Sequence, residues 1–152
     1  MQDLEQLADW AGALLAGLGP VERRRLMLDI GRELRRSQAA RIRDQKDPEG
    51  HPFEPRRGQA QGPSSGRVRS KMFERLRRFE HFRVIAAGDG VAVGFAGRAG
   101  RIARVHHEGL HDEVRPGGLS VRYPERRLLG FSTEERERVV DVLLTHLNSR
   151  TF

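Results

Sequence analysis

The sequence predicts an α+β fold, and three observations carry that reading. Two apolar stripes at helical spacing open the chain, two β-prone runs meet around a glycine turn in its middle, and a capped helical stretch closes it. Helices at both ends of a small antiparallel sheet give an α+β arrangement rather than alternating βαβ units.

Residues 2–16 place Leu4, Leu7, Ala8, Ala11, Leu14 and Leu15 three and four apart, which is one face of a first helix. Gly17-Leu18-Gly19-Pro20 interrupts it, and Pro20 suits the first turn of a second helix. With so short a turn between them the two are expected to pack as a helical hairpin. The second helix carries Leu26, Met27, Ile30, Leu34, Ser37, Ala40 and Ile42 on one stripe and fades near Gln45, before the turn signal Asp47-Pro48-Glu49-Gly50. Residues 51–66 are dense in proline and glycine, with almost no apolar residue except Phe53, and read as an extended arm running into a long flexible loop. Order is expected to resume at Arg67-Val68, with Ser70 capping a short helix that presents Met72, Phe73 and Leu76. The runs 82–87 and 91–96 flank Gly88-Asp89-Gly90, a strong hairpin signal. Residues 98–118 show no clean period; Leu119–Tyr123 reads as a short strand followed by Pro124 and a loop. Ser132 opens a capping box with Glu135 and starts a C-terminal helix bearing Val139, Val140, Val142, Leu143, Leu144 and Leu147.

A length of 152 residues fits one domain. The core is expected to be thin, because hydrophobic residues make up 37% of the chain and charged residues 32%. All but two of the 28 basic residues are arginine, the exceptions being Lys46 and Lys71, and against 21 acids they leave a net charge of +7. That excess points to a polyanion or an acidic protein surface; arginine's planar fork suits interfaces, and a GC-rich genome produces the same skew. The charge is uneven: residues 1–22 carry −4, residues 23–57 +5, residues 58–104 +7 and residues 105–152 −1. Such a chain can meet its own copies, acidic face on basic face. With no cysteine, disulfides, thiolate catalysis and zinc–cysteine sites are excluded. No run reaches the roughly 18 apolar residues of a membrane span, and the start MQDLEQLADW lacks the pattern of a secretory signal, so a soluble protein of the cytoplasm, with no membrane partner, is expected.

The most enzyme-like segment is His106, His107, Glu108, His111 and Asp112, where His107 and His111 would share a helix face and ligate a divalent ion. Gly109 intervenes, the spacing is not that of HExxH, and a solvated segment with His106 packed at an interface is the simpler reading. No serine has a nucleophile-elbow context, and GFAGRAG, lacking a following GK[ST] or a clear helix start, reads as a hairpin end. No cofactor is expected. Arg67, Arg69, Lys71, Arg75, Arg77 and Arg78, with Phe73, Phe79 and Phe82 for stacking, could track phosphates, which makes a small basic nucleic-acid-binding protein the alternative function.

Several longer words go beyond composition: RRRLMLDIGRELRRSQAARIRDQKDPEGHPFEPRR, GRVRSKMFERL, VHHEGL and YPERRLLGF. Together, in this order and over nearly the whole chain, they resemble the tail-completion, or virion morphogenesis, proteins of contractile-tailed phages, the gene product S family. The residues that carry the resemblance, and that it marks as an interface, are Arg35, Ser37, Gln38, Arg41, Gln45, Pro48, Gly50, Pro52, Phe53, Pro55 and Arg56, then Arg67, Lys71, Met72 and Phe73, then His106, Gly109, Tyr123, Pro124, Arg126, Leu129, Gly130 and Phe131. One departure is Arg127, which stands where the family typically has proline, so the approach to Leu128 loses a rigid ring. The resemblance implies a non-enzymatic assembly protein that completes the head-proximal end of a tail, in a virion or a headless phage-tail-like particle assembled in the bacterial cytoplasm. It further implies a homo-oligomer, a six-fold ring by analogy with neck and terminator proteins, that touches tail tube, sheath or neck proteins and in transit DNA.

Overall fold

The computed structural model describes residues 2–56, 71–88 and 90–149. Along them run α1 (Gln2–Ala16), α2 (Pro20–Arg43), β1 (Phe82–Ala87), β2 (Gly90–Phe95), α3 (Gly97–Glu108), β3 (His111–Glu113), β4 (Ser120–Arg122) and α4 (Thr133–Asn148). The strands form two separate antiparallel pairs, β1–β2 and β3–β4. This is the α+β arrangement expected, with helices at both ends and hairpins between them.

α2 organises the rest. Pro20 opens it, Glu22 lies in its first turn and Arg41 and Arg43 in its last, a placement that suits the helix dipole. Its buried face is Leu26, Ile30, Gly31, Leu34, Arg35, Gln38 and Ile42, at intervals that follow the helical repeat. Ser37 and Ala40, expected on that stripe, are only half-buried, and two polar residues, Arg35 and Gln38, turn inward instead. At 24 residues α2 is about 36 Å long and serves two cores. Leu26, Ile30 and Leu34 join Leu18 and Leu143, with Val91, Val93, Val139 and Val142 packed around them. Ile42 joins Phe53, Met72, Leu76, Ala99, Ala103 and Leu128. α1 enters the first core through Ala11, Leu14 and Leu15, while Glu5, Gln6, Ala8, Asp9 and Trp10 remain exposed.

The middle hairpin pairs Phe82 with Phe95 through Ala87 with Gly90, leaving a two-residue turn in which Gly88 adopts φ +54°. Its apolar face lies on α2, where Gly31 allows the approach: a Cβ there would stand 2.6 Å from methyls of both Val84 and Val91. α4 starts as expected, with Ser132 and Glu135 forming a reciprocal capping box.

Two expectations are corrected. Residues 98–118 hold a helix and a strand, and GFAGRAG both ends the hairpin, at Phe95, and opens α3 at Gly97, a helix start its glycines concealed. The helix was hidden because its buried stripe is only Ala99, Ala103 and Val105 among arginines and glycines, while Ile102 is exposed. Gly100 is needed for contact, since a Cβ there would meet the Phe95 carbonyl oxygen at 2.9 Å. Residues 72–77 form turns rather than a short helix; Phe73 stands at φ +65°, which no helix interior accommodates. Residues 51–56 of the expected arm are placed, with Phe53 buried and Pro52 bridged to Lys46. The remainder of that arm and loop, with the resumption at Arg67-Val68 and the Ser70 cap, lies outside the described residues.

Gly31 supplies a test of the α2–hairpin contact. Glycine to alanine in a helix ordinarily stabilises by up to about 1 kcal/mol, but here two stiff valines cannot step aside. Gly31→Ala is expected to cost about 1–2 kcal/mol net in urea unfolding, while Gly12→Ala, where nothing lies within 4 Å of the new methyl, gains about 0.5–1 kcal/mol.

Candidate functional site

The second core draws the separated sequence words together, and the joint is Gln45. This residue follows α2 at φ +59°, and its side-chain amide acts as a strand partner for Met72. Its Nε2 donates to the carbonyls of Met72 and Ile42, both at 2.9 Å, while its Oε1 accepts from the Met72 amide at 3.0 Å. The Phe53 amide donates to the Gln45 carbonyl at 2.8 Å, so one residue clamps both flanking segments to the end of α2.

Phe73 then meets Phe53 edge-on at 5.7 Å between ring centres and His106 at 5.0 Å, and His106 meets Tyr123 at 4.8 Å. Arg126 closes the back. Its Nε donates to the Glu54 carbonyl at 2.7 Å, its Nη2 to the Pro55 carbonyl at 3.1 Å, and its Nη1 faces His106 Nδ1 at 3.3 Å. A guanidinium only donates, so this contact makes Nδ1 the acceptor and assigns a neutral ring with its proton on Nε2. Burial first, then the charges of Arg126 and Arg56, push the His106 pKa from 6.5 down to about 4. The result is an aromatic cleft of about 320 Å³ lined by Arg56, Met72, Phe73, His106, Val121, Arg122, Tyr123, Pro124 and Arg126. Seven of these nine belong to the words singled out in the sequence. A wider trough of about 860 Å³ continues from it, shares Arg56 and Phe73, and adds Lys71, Arg75, Arg77 and Arg78 against the single acid Glu74.

The other marked residues mostly hold the frame. Arg35 is buried in α2 and donates to the Phe82 and Arg77 carbonyls. Glu135, 1% exposed, accepts from the Ser37 hydroxyl at 3.1 Å and lies 3.8 Å from Arg41, whose Nη2 reaches the Gly130 carbonyl at 3.3 Å. Gln38 is buried, and its Oε1 has no hydrogen-bond partner among the described residues. Pro48 packs on Gly130, whose φ of +146° and 2.7 Å clearance from the Pro48 Cγ require glycine. Gly50 turns the chain at φ +87°, and Gly109 ends α3 at φ +65° against the Glu125 backbone. The Leu128 and Leu129 amides donate to His107 Nδ1 at 3.1 and 3.4 Å, and Arg127 pairs with Glu49. The approach to Leu128 is thus held by hydrogen bonds and an ion pair. Pro52, Pro55, Lys71 and Phe131 are exposed, and Arg67 lies outside the described residues.

The histidine segment does not gather as a helix face would gather it. His106 sits among rings, His107 serves the backbone, and His111 lies beyond the end of α3, in β3. A different set comes together unannounced: Asp47, Glu49 and His51 place potential ligand atoms within 4.8 Å, because the Asp47-Pro48-Glu49-Gly50 turn folds them onto one side. Glu49 is held there by Arg127, and Asp47 accepts from the His51 amide at 2.9 Å. The stacking platform expected for nucleic acid is also changed. Phe82 is fully buried against Phe95, Phe73 is packed edge-on, and Phe79, although 80% exposed, has the Arg35 guanidinium over one face at 3.7 Å. Arg69 lies outside the described residues with Arg67.

The neutral His106 has a consequence for stability. Its folded pKa is depressed, so between about pH 6.5 and about 4 the unfolded chain binds a proton that the folded chain refuses, and stability falls as pH falls through that window. Discounted for a half-exposed ring, the loss is about 1–2 kcal/mol. Urea midpoints measured across that range should slope downward toward acid, and His106→Gln should flatten the slope.

An arrangement of capped, carbonyl-bound guanidiniums around an aromatic cleft, assembled from words spread over the chain, invites comparison with known proteins. No solved structure matches. The chain is similar to tail completion protein S of Escherichia phage P2, with 37% identity over 150 residues that cover 97% of this chain and 99% of the relative. Residues 2–148 match the phage virion morphogenesis family, from the first turn of α1 to the last of α4, and the chain belongs to that family.

Proposed function

We propose that this chain is a structural tail-completion protein, acting as one unit over its whole length. In this reading it forms a homo-oligomeric ring at the head-proximal end of a contractile tail, in a phage, a prophage or a headless phage-tail-like particle. The observation that carries it is the end-to-end likeness to a relative named for tail completion, with neither chain left with a substantial unmatched part. A structural rather than a catalytic role is supported by what the marked residues Gln45, Arg41 and Arg126 do, together with His107 and Glu135: they hold backbone segments in place. The ring reading is supported by the charge asymmetry, since a cyclic ring joins one face of each subunit to a different face of the next. A six-fold count matched to a tail tube, and contacts with tube, sheath or neck proteins, complete the reading.

The basic trough keeps nucleic acid as the second reading, because its bases outnumber its one acid. Salt separates the two. Affinity for phosphates falls steeply with added salt through counterion release, whereas a ring held by packed interfaces persists. Cryo-imaging of particles assembled with and without this chain provides the direct check. A discrete ring at the tail end should vanish in its absence, and tail ends that look the same either way would refute the reading.

A further inference from the structure

Among the described side chains, the first half of α1 is open to solvent. Glu5, Gln6, Ala8, Asp9 and Trp10 are exposed, and Ala8 is so even though it falls on the apolar stripe. A helix of 15 residues is marginal in water on its own, and α1 draws its support in this subunit from Ala11, Leu14 and Leu15 in its second half. Its chemistry is specific: α1 contains acids and no base, and it carries the chain's single tryptophan, 39% exposed. Tryptophan is enriched among the side chains that anchor protein interfaces, and an acidic helix bearing one calls for a cationic surface with an aromatic hollow.

The cleft and its trough form such a surface. Phe73, Tyr123 and Pro124 wall a hollow that suits an indole, and Arg56, Lys71 and Arg75 line the continuation where carboxylates would fall. α1 joins the core that α2 enters through Leu26, Ile30 and Leu34, and the cleft lies beside the core that α2 enters through Ile42. The two surfaces are complementary in charge and shape and can meet between subunits. We infer that α1 of one copy docks in the cleft of the next, with Trp10 in the aromatic hollow and Glu5 and Asp9 against the basic trough. This head-to-tail contact rests on the ring reading and gives it a physical joint: it is heterologous, so it closes into a ring when the rotation per subunit allows.

The lone tryptophan makes the test direct. In the full-length chain, Trp10 emission should move to shorter wavelength as mass rises with concentration. Two charge reversals are then compared at matched urea midpoints: Glu5→Arg with Asp9→Arg, and Lys71→Glu with Arg75→Glu. Each alone should weaken self-association by about tenfold or more. Mixing the two variants should restore it, because every junction then pairs either the native surfaces or the two reversed ones. Reversals that assemble like wild type, a mixture that stays dissociated, or a wild-type chain that remains monomeric at high concentration would each overturn the docking. Assembly that proceeds without any change in Trp10 emission would overturn it while leaving the ring standing; unaltered tail ends in particles lacking the chain would remove the ring as well. Loss of DNA retention on reversing Lys71 and Arg75, with self-association intact, would give the trough to phosphates instead.

Discussion

The fold depends on a guanidinium placed on the apolar side of a helix. Arg35 sits on the buried face of α2, and its donors go to the Phe82 and Arg77 carbonyls, with the Phe79 ring beneath it and the Phe82 ring at 5.4 Å. Its charge is met by carbonyl dipoles and aromatic faces, and burial lowers its pKa. This is an expensive arrangement to leave incomplete, because an unsatisfied buried cation costs several kcal/mol. It therefore specifies position: the chain between Arg77 and Phe82 must arrive where those carbonyls are needed. From there the structure follows in order. Phe82 stacks on Phe95 at 4.7 Å, Gly31 one turn earlier admits the hairpin, and the end of β2 launches α3, which delivers His106 to the cleft.

Where local and tertiary signals agree, the sequence was legible. α2, the 82–95 hairpin and the capped α4 each have a period, a turn or a cap that points to the element the core also wants. α3 was not, because its two glycines contradict helix propensity, its buried stripe is short, and only close approach to Phe95 explains Gly100. The turn at Phe73 was not either: an apolar Met-Phe pair reads as a helix stripe, and nothing local announces the positive φ of Phe73, which follows a Met72 clamped by Gln45 from 27 residues away. The cleft was legible only as a set of words. Each word names its residues, but that Arg56, Met72, Phe73, His106 and Tyr123 share one hollow follows from tertiary packing alone.

Arginine richness resolves into two populations with different physics. Arg35, Arg41 and Arg126 point inward and bond carbonyls, and burial lowers the pKa of each. Arginine serves there because its planar fork reaches several carbonyls at once and its weak hydration lowers the cost of burial, which a lysine could not match. Arg75, Arg78, Arg101 and Arg104 are exposed, and only this second population bears on a partner. A net charge of +7 thus overstates how much of the surface calls for a polyanion.

The same division bears on symmetry. A two-fold contact places one patch on its own copy, so a basic trough would face a basic trough, and the repulsion grows with every added guanidinium. A head-to-tail contact sets the acidic N-terminal segment against the basic middle and removes that penalty at each junction. Screening sharpens the point. At physiological ionic strength charges farther apart than about 8 Å scarcely interact, so the asymmetry between −4 in residues 1–22 and +12 across residues 23–104 helps only where the surfaces are already in contact. Electrostatics can choose the partner face and the direction, but holding it requires apolar burial. In a chain with so thin a core, the exposed aromatic on an otherwise acidic helix is the side chain best placed to supply it.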